Sequence, residues 1–185
     1  MSVPCRSPHI SLIVYSQLLH HSDAEVLSHT CWALSHLCDG PPTHLRALLN
    51  GIPSLCPRLV VLLSHRSWKI VKPALRTIGN IVCAEDEVDY TEIVTEAGAV
   101  KHLCTLVTHS NRDIQKEACW TLSNIAAGTV GQIQRVLDSG IMLNIVHLAR
   151  SEDTDPEVKS EASWVVLNAS SCGSDMQIEM MVANG

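Results

Sequence analysis

The chain has 185 residues, 46% hydrophobic and 17% charged, a balance that excludes a disordered segment. Aromatic residues are only 3%, as four Trp, two Tyr and no Phe, so an interior must be built from Leu, Ile, Val and Ala, and the purpose of the Trp needs explaining. A formal charge of −6 excludes the basic surplus of a nucleic-acid binder and leans toward a basic partner.

Met1 to Pro8 matches nothing later in the chain, and Met1 to Ile10 holds no apolar h-region of a signal peptide. Ile10 to His20 is an apolar helical segment. A long helix follows, with Asp23 as N-cap and Gly40 as its C-terminal punctuation. Leu45 to Gly51 is a short helix, Ile52 to Ser64 an apolar one, and Ser67 caps a second long helix. Glu92 to Gly98 and Val100 to His109 precede a third, capped by Asn111 and closed at Gly128. Gln134 to Gly140 and Met142 to Arg150 precede a fourth at Asp155, where Pro156 and Glu157 add helix-start signals. Gln177 to Gly185 repeats the short segment. No strand signal competes, and no apolar run reaches the ~18 residues that cross a bilayer, so no membrane is expected as a partner.

The long helices are copies of one another. Thr30-Cys31-Trp32-Ala33-Leu34-Ser35-His36-Leu37 and Ala118-Cys119-Trp120-Thr121-Leu122-Ser123-Asn124-Ile125 lie 88 residues apart. Ala74-Leu75-Arg76-Thr77-Ile78-Gly79-Asn80-Ile81 stands halfway, and Ala162-Ser163-Trp164-Val165-Val166-Leu167-Asn168-Ala169 follows 44 residues after the third copy. A unit of short, middle and long helix in about 44 residues is the armadillo pattern. The expected fold is an all-α, right-handed α-solenoid of about four repeats of three helices, truncated at both ends. Its parts are an unmatched leader (1–8), a partial repeat (9–41), three repeats (42–85, 86–128, 129–172) and the first helix of another (173–185).

At 100° per residue, Val26, Thr30, Leu34 and Leu37 centre a core face, and Trp32 points about 155° away from it. Residues 29 and 36 share the Trp side. In the last two copies this face reads Glu117, Trp120, Asn124 and Glu161, Trp164, Asn168. Parallel indoles make slots for Lys or Arg stems, worth a cation–π contribution of ~0.5–2 kcal/mol. An Asn amide can clamp the N–H and C=O of an extended backbone at about 1 kcal/mol per bond. Carboxylates attract the cationic tips, so the implied ligand is an extended basic peptide. Trp68 lies outside this frame, beside its N-cap, where local packing is expected.

The eight Cys contain no CxxC and mostly sit in apolar runs, as Cys31, Cys104 and Cys119 do, so they read as buried small hydrophobes. The ten His are scattered, and no third ligand joins His20 and His21 or His29 and His36, so neither a metal nor another cofactor is expected. No nucleophile elbow or phosphate loop supports an enzyme.

Lys116-Glu117 followed by Ala118 to Ile125, and Pro73 to Val82, resemble importin-α (karyopherin-α), over a stretch from about Ile10 to Gly185. The order Trp, Arg, Trp, Trp over successive copies resembles the C-terminal half of that family's armadillo domain. The resemblance implies an adaptor that binds nuclear localisation signals of cargo proteins in cytoplasm and nucleus. It implies peptide contacts of the minor-site type at Trp120, Asn124, Trp164 and Asn168, with Glu117 and Glu161 on the basic tips, Asn80 and Arg76 at the border, and Trp32 in the same row. His36 departs from the pattern, which puts the first copy in question as a binding unit. Importin-β is implied as a partner only where an Arg-rich N-terminal segment precedes this stretch. The alternatives are a general armadillo scaffold, which would favour acidic or mixed peptides, and a nonfunctional truncated remnant whose ends expose apolar helix faces.

Overall fold

The computed structural model describes residues 8–183, so residues 1–7 of the leader, Cys5 among them, and residues 184–185 lie outside the described residues. Among the described residues there are twelve α-helices and no strand. They begin with a middle and a long helix, α1 (Pro8–Leu18) and α2 (Ala24–Cys38). Three full sets follow: α3 (Pro42–Gly51), α4 (Leu55–Leu62) and α5 (Trp68–Val82); α6 (Tyr90–Glu96), α7 (Ala99–Leu106) and α8 (Arg112–Ala126); α9 (Val130–Asp138), α10 (Met142–Arg150) and α11 (Pro156–Cys172). A short helix, α12 (Asp175–Ala183), comes last.

The long helices start where side chains replace missing backbone partners. Asp23, Asn111 and Asp155 accept the first free N–H groups of α2, α8 and α11. Ser67 makes no such side-chain bond. A second device lies outside the helices, in the turns that precede them. His21, His65 and His109 each accept the N–H of the N-cap two residues on, at 3.0, 3.0 and 2.9 Å. These three His stand 44 residues apart, so they belong to the repeat and are not scattered. Positive φ occurs at Gly98 and Gly140, which turn the chain out of α6 and α9 and carry no side chain to strain it. Gly40 and Gly128 lack it; the C-caps there are right-handed Asp39 and Ala127.

Pro73, inside α5, removes the N–H that would bond the carbonyl of Lys69. That carbonyl instead accepts the Ser28 hydroxyl at 2.8 Å, which ties α5 to α2.

The long helices lie side by side in the order α2, α5, α8, α11. On α5, Ile70, Ala74, Thr77 and Ile81 form one fully buried face, and Val71, Leu75, Ile78 and Val82 form a second. The expectation of one core face per helix is thereby corrected: an interior long helix has a long helix on either side and is buried against both. Each fully buried Leu or Ile contributes ~1.5–3 kcal/mol, which replaces the aromatic anchors this chain lacks. Buried hydroxyls are satisfied; Thr77 Oγ1 donates toward the carbonyls of Pro73 and Cys31, at 2.7 and 3.2 Å.

The short helices stack in the same sense. Gln132 Nε2 donates to Asp89 at 2.9 Å, Arg135 pairs with Glu92, and Gln177 Nε2 reaches the Val130 carbonyl at 2.8 Å. Burial pushes the thiols of Cys31, Cys38, Cys56 and Cys119 up to about 12. Cys83 and Cys172 are exposed and Cys104 is half-buried, contrary to the expectation for the thiols as a group.

Candidate functional site

Successive long helices set Trp32, Arg76, Trp120 and Trp164 in one row, because these residues hold one position of the 44-residue repeat. Trp32 and Trp120 are half-buried, and Trp164 is 50% exposed. His36, Asn80, Asn124 and Asn168 form the row one turn further along. Trp68 stands outside both rows at the first position of α5. It is 49% exposed rather than locally packed.

The slot between α5 and α8 is filled from within the chain. The Arg76 guanidinium lies 5.4 Å from the centroid of the Trp120 ring and also pairs with Glu117 Oε1. Trp120 in turn leans on Gly79, where a Cβ would collide with the six-membered ring of the indole. Glu117 is 5% exposed, and its Oε2 has no hydrogen-bond partner. Glu117 thus faces Arg76 across a helix interface instead of standing open on the Trp face.

The next slot, between α8 and α11, repeats these parts without the internal cation. Glu161 holds the position of Glu117 one unit on, and neither an ion pair nor a hydrogen bond engages it among the described residues. Partial burial raises its carboxyl above the ordinary glutamate value; Lys116 opposes the shift, and Glu117 and Glu157 add to it. Trp120 and Trp164 flank this slot. Beside it, Lys116 reaches Glu157 at 3.2 Å and Arg112 reaches Asp155 at 2.8 Å, so the nearby cations are already engaged.

The Asn side chains behave differently from one another. Asn80 is 9% exposed and donates to the Ser35 carbonyl at 2.9 Å, stapling α5 to α2. Asn168 donates to the Ser123 carbonyl at 2.9 Å, the same staple between α11 and α8. Asn124 donates to its own Trp120 carbonyl at 3.1 Å. Asn124 and Asn168 are half-buried, and each keeps a second N–H and an amide oxygen free of partners among the described residues. In the first unit, His36 stacks on Trp32 with ring centroids 6.3 Å apart. Trp120 and Asn124 on α8 and Glu161, Trp164 and Asn168 on α11 therefore lie on neighbouring long helices, where Asn168, like Asn80, spends one N–H on the preceding helix, and Glu117 is engaged by Arg76.

A family model described as Armadillo/beta-catenin-like repeat matches residues 12–39 and 88–127. Importin subunit alpha-1a of Oryza sativa subsp. japonica is 43% identical over 138 residues, 74% of this chain and 26% of its own length. Importin subunit alpha-4 of Arabidopsis thaliana is 44% identical over 143 residues, 77% of this chain and 26% of its own length. The chain thus spans about a quarter of the length of these curated relatives. Among solved structures, a designed armadillo repeat protein in complex with the peptide (KR)4 superimposes with a TM-score of 0.85 at 30% identity, over 94% of this chain and 70% of that one.

Proposed function

The chain belongs to the armadillo-repeat family, and on that premise we propose that it is a nuclear-import adaptor segment binding extended Lys/Arg-rich localisation signals along its Trp row. The observation that carries this reading is the Arg76 guanidinium seated on Trp120 against Glu117. It supports the row as a place for guanidinium groups, since a neighbouring slot repeats the indole and carboxylate, and no cation pairs with that carboxylate among the described residues. A Lys or Arg stem between Trp120 and Trp164 would gain apolar contact and a cation–π contribution of ~0.5–2 kcal/mol, with Glu161 at its tip. Asn124 and Asn168 would hold the peptide backbone through their free amide groups.

The relatives named as importin alpha subunits support the transport reading, and the designed protein in complex with (KR)4 supports a basic peptide as the ligand class. On this reading the protein works in cytoplasm and nucleus without catalysis. Importin-β would be a partner where an N-terminal Arg-rich segment accompanies the repeats. The test is a fluorescence-anisotropy titration of a labelled peptide with two Lys/Arg clusters, alongside an acidic peptide of equal length. Saturable binding of the basic peptide, weakened by added salt, supports the proposal. Preference for the acidic peptide transfers the chain to the general-scaffold reading.

A further inference from the structure

Trp68 is the one indole outside the repeat register, and the groove leaves it without a role. It is 49% exposed at the first position of α5. A long helix lies on either side of α5, α2 and α8, so this exposure is not that of an uncovered end of the array. At 1.5 Å per residue, Trp68 stands about 12 Å along the helix from Arg76, apart from the Trp row.

The charge around it is unusual for this chain. Residues 40–84 hold Arg46, Arg58, Arg66, Lys69, Lys72 and Arg76 and neither Asp nor Glu, against a formal charge of −6 for the whole. Most of these cations are spent inside the fold. Arg46, Lys72 and Arg76 pair with Asp86, Asp113 and Glu117 of the next repeat, and Arg58 donates to the Leu19 carbonyl at 2.9 Å. Arg66 and Lys69 are exposed and make neither an ion pair nor a side-chain hydrogen bond among the described residues. They are the cations that flank Trp68 in the chain. Glu25 shares a cleft of about 430 Å³ with Lys69 and Ser67, and it does not pair with Lys69 either.

An open indole between two unpaired cations has the make-up of a binding hot spot. The ring supplies apolar area, and the cations steer and orient an anionic partner. The neighbouring repeats limit what that partner can be. Residues 9–41 hold Asp23, Glu25 and Asp39 and no Lys or Arg, and residues 86–128 hold seven acidic side chains against three basic ones. A small basic spot between acidic repeats accepts a short segment and repels an extended phosphate surface, such as a membrane or a nucleic acid.

We propose that Arg66, Trp68 and Lys69 form a docking surface for a short acidic segment of a partner protein. Its carboxylates lie on the two cations, and an aromatic side chain among them lies on the indole. The surface is separate from the Trp row and does not rest on the basic-peptide reading.

Anisotropy titration of the full chain with a labelled Asp/Glu-rich peptide carrying one central Phe tests this, with the two-cluster Lys/Arg peptide in parallel. Saturable binding of the acidic peptide, weakened by salt, is expected. Trp68→Ala should lose roughly tenfold in affinity, Trp68→Phe should keep most of it, and Arg66→Glu combined with Lys69→Glu should abolish binding. Circular dichroism checks that each variant keeps its helicity, and these variants should leave the basic-peptide titration as in the wild type. Failure of the basic peptide to bind sinks only the transport reading. The docking proposal is overturned by the absence of saturable acidic-peptide binding, or by binding that Trp164→Ala weakens and Trp68→Ala does not. Equal affinity in the charge-reversed variant overturns it too, as does tighter binding to phosphatidylserine vesicles or to a single-stranded oligonucleotide.

Discussion

The guanidinium of Arg76 lies 5.4 Å from the ring centroid of Trp120, and these two residues hold the same position in successive repeats. One repeat thereby donates a cation to the indole of the next, in the place where a peptide's Arg or Lys would lie. The slot one unit further on has its own carboxylate, Glu161, which forms no ion pair among the described residues, although the charge of Lys116 acts on it. The difference between a filled and an open slot comes from one substitution in the repeat, Arg for Trp.

Arg76 also neutralises a buried carboxylate. Arg76→Ala leaves Glu117 without a partner on either oxygen and should cost about 2 kcal/mol, less than a fully buried pair would, because the Arg76 side chain is 43% exposed. Adding Glu117→Gln should recover most of the loss. Urea midpoints of the single and double variants measure both effects, and an unchanged midpoint for Arg76→Ala would contradict the pairing.

Gly79→Ala should destabilise, although alanine inside a helix ordinarily gains about 1 kcal/mol over glycine. The new methyl group meets the Trp120 ring, and overpacking of this kind costs about 1–3 kcal/mol. A lower melting temperature together with a shift in Trp emission is expected. A more stable variant with unchanged emission would show that the indole does not rest there.

The acid limb of stability should depend on Asp86. Arg46, the Tyr90 hydroxyl and the Glu87 N–H hold its carboxyl down to about 2. A depressed folded-state value means that this contact stabilises fully above the ordinary Asp range of about 4, and that the gain is lost as pH falls through that range toward the folded value. Asp86→Asn should therefore lower the melting temperature at neutral pH and flatten its fall in acid. Parallel pH profiles for the two proteins would refute the assignment.

The thiols divide by burial. Cys83 and Cys172 should react with iodoacetamide in the native state, while Cys31, Cys38, Cys56 and Cys119, held up to about 12, should react only after unfolding. Mass spectrometry of labelled peptides distinguishes the two groups.

Much of this was legible from the 44-residue period alone. It places the four long helices and the side-chain N-caps Asp23, Asn111 and Asp155, though Ser67 makes no capping bond, and α10 has the same ends, Met142 and Arg150, as read from the sequence. What it missed depends on neighbours. A helical wheel sees one helix at a time, so it assigns one core face where α5 and α8 are buried on two. The pairing of Arg76 with Glu117 joins different helices 41 residues apart, and the wheel, seeing Glu117 beside Trp120, counted it as exposed. Asn80 and Asn168 spend an N–H on the preceding helix, which nothing in the Trp-to-Asn spacing reveals. The in-register His21, His65 and His109 were visible in the sequence, but only to a comparison of turns rather than helices.

The pH dependence of ligand binding should report Glu161. Burial raises its carboxyl above the ordinary value, and only the carboxylate attracts a cation. Affinity for a basic peptide should rise with pH as Glu161 ionises, and Glu161→Gln should both weaken binding and remove that rise. A variant that keeps the wild-type pH profile would exclude Glu161 from the contact.

The most direct measurement is the anisotropy titration of a two-cluster Lys/Arg peptide against the wild-type chain, Trp120→Ala and Trp164→Ala at low salt. A row that binds basic peptide between these indoles predicts saturable binding by the wild type and a loss of roughly fivefold to thirtyfold in either variant, the ~1–2 kcal/mol of a desolvated cation–π contact. Absence of saturable binding in the wild type, or equal affinity in all three proteins, would contradict it.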